Sequence, residues 1–196
     1  MPLPPSKLLL GRVALVTGVS RRIGIGFAIV RRLLEDGASV LATGWTPHDE
    51  EMPWGPGDKQ GAELLAELGE PVSRLQFVAE DLEDPDAPDR LVASVVERFG
   101  SIDIVVANHA RSSHESLWDV SAEELDRSWA INARASMLLA RSLARARAAG
   151  PGGRVILFTS AQHQGPMWKE IAWLVGEEGR WITGQVINHD GGFRLV

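Results

Sequence analysis

Residues 12–35 read RVALVTGVSRRIGIGFAIVRRLLE, and this stretch decides the fold. Arg12–Thr17 is a short apolar run of the kind that forms a strand buried on both faces. Ile25–Glu35 carries apolar residues at helical spacing and stops before Gly37. Between them lies Thr17-Gly18-Val19-Ser20-Arg21-Arg22-Ile23-Gly24-Ile25-Gly26. A glycine-rich turn that follows a strand and opens a helix is the context required for a dinucleotide site. Bare glycine lets the backbone turn tightly and approach a pyrophosphate. The unpaired amides at the positive end of the following helix then bind the anion. Gly18, Ser20, Arg21, Gly24, Ile25 and Gly26 are therefore the candidate phosphate-binding residues.

The same alternation continues outward. Ser39–Thr43, Leu75–Ala79, Asp103–Ala107 and Arg154–Thr159 read as further strands. Gly61–Leu68 and Asp86–Phe99 read as helices, the second stopping at Gly100. A long helix is expected from Ser121 to about Ala149, and Ser121 with Glu124 forms a capping-box pattern. His48–Lys59 is polar and rich in Gly and Pro, so it reads as a loop. Strands alternating with helices imply a parallel sheet covered on both faces, a doubly wound Rossmann-type α/β fold. After Ser160 the alternation fails. Gln185–His189 reads as a last strand before Gly191-Gly192. The whole chain, 1–196, is taken as a single dinucleotide-binding domain.

Composition narrows the function classes. The chain has 196 residues, 44% apolar and 23% charged, enough for a full core without staples. It contains no Cys, which excludes disulfides and thiolate chemistry. A net charge of −6 offers no general attraction to nucleic acid or anionic membrane. No apolar run reaches the length of a membrane span, and Leu8–Leu10 is too short for a signal-peptide core, so a cytoplasmic location is expected. There are seven Trp, no Tyr, and three Lys at positions 7, 59 and 169.

The Thr-Gly…Gly-x-Gly turn resembles the signature of the short-chain dehydrogenase/reductase family. Five residues separate Gly18 from Gly24, two more than the family pattern, so the turn is expected to bulge. Further segments carry the resemblance. Asp81-Leu82 follows the third strand, where the family contacts the adenine end, although an N-capping Asp would look the same. The fourth strand ends Ala107-Asn108-His109-Ala110 where the family has Asn-Asn-Ala-Gly, which points to Asn108 and Ala110 at the cofactor. Asn132 matches an Asn that supports a proton relay, and Gly153–Ser160 matches the strand bearing a catalytic Ser. Trp181–Gly192 is similar to the closing segment, most of all in the 3-oxoacyl-carrier-protein-reductase-like branch. The resemblance implies a nicotinamide dinucleotide cofactor and a small-molecule carbonyl or hydroxyl substrate. An NAD site places Asp or Glu at the tip of the second strand, about 20 residues past the glycines. Gly44 stands there, which permits NADP, with Arg21 and Arg22 available to a 2′-phosphate.

Chemistry in this family needs a Tyr about thirteen residues after the Ser, and a Lys about four further on that lowers its pKa. Counting from Ser160 gives Trp173 and Glu177. Indole offers no usable proton, and a carboxylate in place of the Lys has the wrong sign. The family also has a helix, a strand and a helix between the Ser and the closing segment, about 50 residues of structure. Only 161–180 is available here, a shortened connection between a 1–160 core and a 181–196 closing segment. The sixth-strand region is thus expected to be missing, with reduced stability or altered homo-oligomerisation, because part of the family's helix interface falls there.

Three readings follow. One is an NADP-dependent oxidoreductase with impaired catalysis. Another is a catalytically inactive dinucleotide-binding or partner-binding protein, and an internally deleted product with no role of its own is a third. His109, His114 and Glu115 match no tight ligand spacing, so no metal is expected. Arg134, Arg141, Arg145 and Arg147 read as a solvated basic helix end rather than a nucleic-acid site. Ser160 with His163 lacks the elbow of a hydrolase.

Overall fold

The computed structural model describes residues 7–52, 55, 59–112, 118–147 and 152–158. Five parallel strands form one sheet: β1 (Val13–Val16), β2 (Ser39–Gly44), β3 (Leu75–Ala79), β4 (Ile104–Ala107) and β5 (Arg154–Leu157). Their order is β3-β2-β1-β4-β5. The chain winds outward from β1 in one direction, then returns past β1 to wind in the other. The point of reversal lies between β1 and β4, where doubly wound sheets open a crevice beyond the carboxyl ends of their strands.

Strand alternation divides the core. Ala14, Val16, Val40, Ala42, Ile104 and Val106 face one layer, made by α1 (Ile25–Glu35) and α3 (Gly61–Ala66). Val13, Leu15, Leu41, Val105 and Ala107 face the other, made by α4 (Ala87–Phe99) and α6 (Ser136–Ala146). β1 and β4 are apolar at every position because both of their faces are covered.

Two expectations are corrected. The segment expected to be a loop from His48 opens with a short helix, α2 (Thr46–Glu51). Pro47 sits in its first turn, where a missing N–H costs nothing, and Asp49 favours the same end electrostatically. The long helix from Ser121 is not continuous. It runs as α5 (Ala122–Trp129), a π-helical turn (Ala130–Ala135) and then α6. Its N-terminus is capped as the sequence suggested: Ser121 Oγ accepts from the Glu124 amide at 3.1 Å. The return half of the capping box is absent because the Glu124 carboxylate is engaged by Arg111. Among the described residues, no helix is long and apolar enough to cross a membrane. Ser160, the expected short connection at 161–180, with the sixth-strand region expected to be missing there, and the 181–196 segment lie outside the described residues.

Candidate functional site

The turn after β1 is shaped by contacts to its neighbours. Val19 is fully buried and its amide donates to the Thr43 carbonyl of β2 at 2.9 Å. The two extra residues are absorbed in a β-turn, with the Gly24 amide donating to the Arg21 carbonyl at 3.0 Å. Ile23, at the corner of that turn, is 86% exposed. The expected bulge is therefore a solvent-facing turn that leaves the start of α1 in place. Gly24 precedes α1 with no side-chain cap and no acidic residue in the first turn, so the positive end is left for an anion.

Asn108 locks this turn from below. Its Nδ2 donates to the Thr17 and Gly18 carbonyls at 3.2 and 3.1 Å. A Cβ on Gly26 would stand 2.4 Å from the Gly18 carbonyl oxygen and 2.9 Å from Asn108 Nδ2, so only glycine fits. Gly18 has φ +71°, a left-handed conformation that also favours glycine.

A cleft opens beyond the carboxyl ends of β1 to β4. Gly18, Ser20, Asp81, Leu82 and Ala110 line it. Arg21, Gly24, Ile25 and Gly26 belong to the adjoining turn and helix start without lining it, and Asn108 braces that turn. The Asp81 carboxylate also accepts from the Glu83 amide at 2.9 Å, closing a local turn. Sequence reasoning missed six lining residues: Thr43, Trp45, His48, Asp49, Glu80 and Ile131. It passed over Arg111 altogether and weighed His109 only as a metal ligand. Apart from His109, which lies in the Ala107–Ala110 segment, none sits in a motif, and topology brings them together.

Charge around the tip of β2 is mixed. A Cβ on Gly44 would meet the Val19 carbonyl oxygen at 2.7 Å, so packing excludes every side chain there, carboxylates included. Asp49 brings a carboxylate to the cleft instead, 3.9 Å from Arg21 Nε. Arg22 faces Glu67 at 3.2 Å. Thr43 Oγ1 is buried and has no hydrogen-bond partner among the described residues.

The far wall is a polar cluster. Arg111 makes a forked pair with Glu124, Nε to Oε1 at 2.9 Å and Nη2 to Oε2 at 2.7 Å. Both side chains are nearly buried, and the hydrogen bond from Arg111 holds the Glu124 carboxyl below the usual carboxylate range. Asn132 spends both ends of its amide on the Arg111 backbone, Oδ1 accepting from N at 2.7 Å and Nδ2 donating to O at 3.0 Å. It does so from the π turn, a departure from helical geometry often found at functional sites. His109 is pinned between Thr17 Oγ1, 2.6 Å from Nδ1, and the Ile131 carbonyl, 2.9 Å from Nε2. Burial pushes its pKa down to about 4. No His, Asp or Glu group among the described residues has the arrangement of a metal site.

The sequence profile described as short chain dehydrogenase matches residues 12–172. The chain belongs to the short-chain dehydrogenase family. Versicolorin reductase 1 of Aspergillus parasiticus is 36% identical over 150 residues, covering 76% of this chain and 52% of the relative. Among solved structures, a short chain dehydrogenase of Burkholderia cenocepacia in complex with NADP has a TM-score of 0.63 at 29% identity, covering 88% of this chain and 63% of its own. A short chain dehydrogenase of Mycobacterium smegmatis shares the fold, with a TM-score of 0.69 at 24% identity. The chain spans about half the length of the curated relatives it matches. Short-chain dehydrogenase architecture thus accounts for the sheet order, the glycine turn and the position of the cleft.

Proposed function

We propose that this chain binds a nicotinamide dinucleotide in the cleft and is an NAD(P)-dependent oxidoreductase of carbonyl or hydroxyl compounds whose proton delivery is impaired. The observation that carries the cofactor half is the glycine cradle. Side chains are sterically excluded at Gly26, Asn108 braces the Gly18 carbonyl, and an uncapped helix start faces the same place. Gly18, Ser20, Arg21, Gly24, Ile25 and Gly26 would hold the pyrophosphate, Asp81 and Leu82 the adenine end, and Asn108 and Ala110 the ribose side. The buried Thr43 hydroxyl offers a further polar group beside the cleft. NADP is the preferred form in this reading. Arg21 stands beside the cleft, 3.9 Å from Asp49, and a related structure is an NADP complex. Asp49 is the group that opposes that preference.

When bound, the nicotinamide supplies hydride to a carbonyl carbon, and a proton donor must then serve the oxygen. Ser160 remains as a candidate to hold that oxygen and Asn132 as a positioning residue. Trp173 and Glu177 occupy the counted places of the proton donor and its activating cation, and the chain has no Tyr. The 3-oxoacyl-carrier-protein-reductase-like branch, an internal shortening at 161–180 and a homo-oligomer with a reduced helix interface belong to the same proposal.

Titration calorimetry with NADP+ and NAD+, followed by ketone reduction with NADPH, tests it. Expected are saturable binding, tighter for NADP+, and slow turnover that still exceeds that of a Ser160→Ala variant. A folded sample that binds neither dinucleotide refutes the cofactor half, and brisk ketone reduction refutes the impairment. Binding without any turnover would favour the second reading, a dinucleotide-binding protein without catalysis.

A further inference from the structure

The wall of the cleft opposite the glycine turn holds an arrangement that dinucleotide binding does not itself require. Arg111 directly follows the two cleft residues His109 and Ala110, so its backbone is fixed by β4. Asn132 clamps that backbone from the π turn through two hydrogen bonds. Glu124, on α5, takes the guanidinium in a forked pair, and Ser128 donates to Glu124 Oε1 at 3.2 Å. A planar guanidinium held on one edge can still donate from the other. Its Nη1 lies 3.3 Å from His48 Nδ1 on α2. The amide of Ser112 points to the other ring nitrogen of His48, 3.4 Å from Nε2.

His48 thus faces N–H donors at both nitrogens. A neutral imidazole has one accepting nitrogen, and an imidazolium has none. The hydrogen-bonded link between α2 and the wall therefore exists only while His48 is neutral, beside a looser ion pair of Arg111 Nη2 with Glu51 of α2 at 3.9 Å. α2 also carries Asp49 and follows Trp45, both lining the cleft. Whatever fixes His48 fixes the segment that forms the outer rim.

We propose that Arg111 is a positioning residue for dinucleotide binding: clamped by Asn132 and Glu124, it pins His48 and so holds α2 against the rim of the cleft. This rests on reading the cleft as the dinucleotide site. The groups that face His48 are Arg111 on the wall, Asp49 and Glu51 on α2, and Glu124 on α5. Burial, and next the Arg111 charge, lower the His48 pKa below 6.5, while the three carboxylates raise it. The pin is intact above pH 6.5 and is lost as pH falls through the lowered value. Protonated His48 is repelled by Arg111 and drawn to Glu51 and Asp49.

The test uses the full chain and titration calorimetry. NAD+ serves for the pH series because the 2′-phosphate of NADP+ itself titrates near pH 6. His48→Phe should weaken NADP+ and NAD+ alike about tenfold at pH 7.5, and Arg111→Lys, whose shorter ammonium lacks the planar fork that spans Glu124 and His48, should do the same. Wild-type affinity for NAD+ should fall as pH is lowered from 7.5 through the depressed His48 value, whereas His48→Gln, whatever its own affinity, should show no such fall. Thermal melts check that the variants fold, and amide exchange of α2 in the ligand-free protein should speed up in Arg111→Lys. Wild-type affinity in His48→Phe and Arg111→Lys overturns the positioning role alone. So does a pH profile of His48→Gln that follows wild type. A folded wild type that binds neither dinucleotide overturns the cofactor reading and the positioning role together.

Discussion

Replacing His109 with a side chain that does not titrate should remove about 2 kcal/mol from the stability loss of this fold between pH 7.5 and 4.5. Thr17 Oγ1 accepts from the amides of Asn108 and His109 at 3.0 and 3.2 Å. Its single proton then goes to His109 Nδ1, 2.6 Å away, with the Val106 carbonyl a poor alternative at 3.4 Å. Nδ1 is therefore an acceptor, and Nε2 carries the proton toward the Ile131 carbonyl. Protonating Nδ1 would aim a third donor at Thr17 Oγ1 and would place a charge in a buried wall. Burial is the larger cause of the depressed pKa, about 4 against an ordinary 6.5, and the Ile131 carbonyl acts the other way. The unfolded chain takes up a proton as pH falls below 6.5, and the folded chain does not until about 4. The His109 contribution is thus lost across that window and falls no further below it. The depression is worth roughly 3 kcal/mol in full, most of it already expressed by pH 4.5. Urea unfolding followed by Trp fluorescence at pH 7.5, 6, 5 and 4.5 measures this. His109→Gln should start less stable, because it loses part of the network, but should fall by about 2 kcal/mol less than wild type across the series. Parallel pH profiles for the two proteins would refute the reasoning.

Two further substitutions separate the cleft from the scaffold. Gly26→Ala places a methyl 2.4 Å from the Gly18 carbonyl oxygen, so it should cost about 1–3 kcal/mol and abolish dinucleotide binding, read by urea unfolding and calorimetry. Asp103→Ala removes the partner of Arg147 at 2.7 Å, of Arg12 at 3.2 Å and of the Val13 amide at 2.9 Å, at the amino ends of the strands. It should destabilise by about 3 kcal/mol in the same unfolding assay while the affinity for NADP+ stays within about twofold, because the cleft lies at the other end of the sheet.

The scaffold was readable because local pattern and tertiary demand agree in it. β1 is apolar at every position since both its faces are covered, and α1 ends where Asp36 and Gly37 end it. Sequence and structure part where tertiary contacts decide. The polar, Pro-containing segment from Thr46 has no apolar stripe to announce a helix, yet α2 forms with Asp49 buried. The π turn at Ala130–Ala135 leaves helical periodicity nearly intact, so nothing local marks it. Asn132 was found through its motif, while the partner it holds, Arg111, belongs to no motif. Likewise the glycines and Asn108 were visible because their spacing is fixed by the backbone's approach to itself. His48 and Arg111 are 63 positions apart and meet only through the sheet order.

Residue 44 shows how a correct local reading can answer the wrong question. The rule that a carboxylate at the tip of β2 selects NAD treats that position as free to vary. Here it is not free. Val19 donates to the Thr43 carbonyl, which draws the glycine turn onto β2 until its own carbonyl oxygen lies 2.7 Å from where a Cβ of residue 44 would be. Gly44 is thus demanded by packing and carries no information about phosphate or hydroxyl at the ribose. The charges that can carry it come from the two segments flanking that contact, Arg21 on the turn and Asp49 on α2, 3.9 Å apart. If the cleft holds the dinucleotide as proposed, the balance between these two groups sets the preference for NADP over NAD, and Asp49→Asn should shift the ratio of affinities toward NADP+. A ratio unchanged in that variant would return the choice to groups outside this pair.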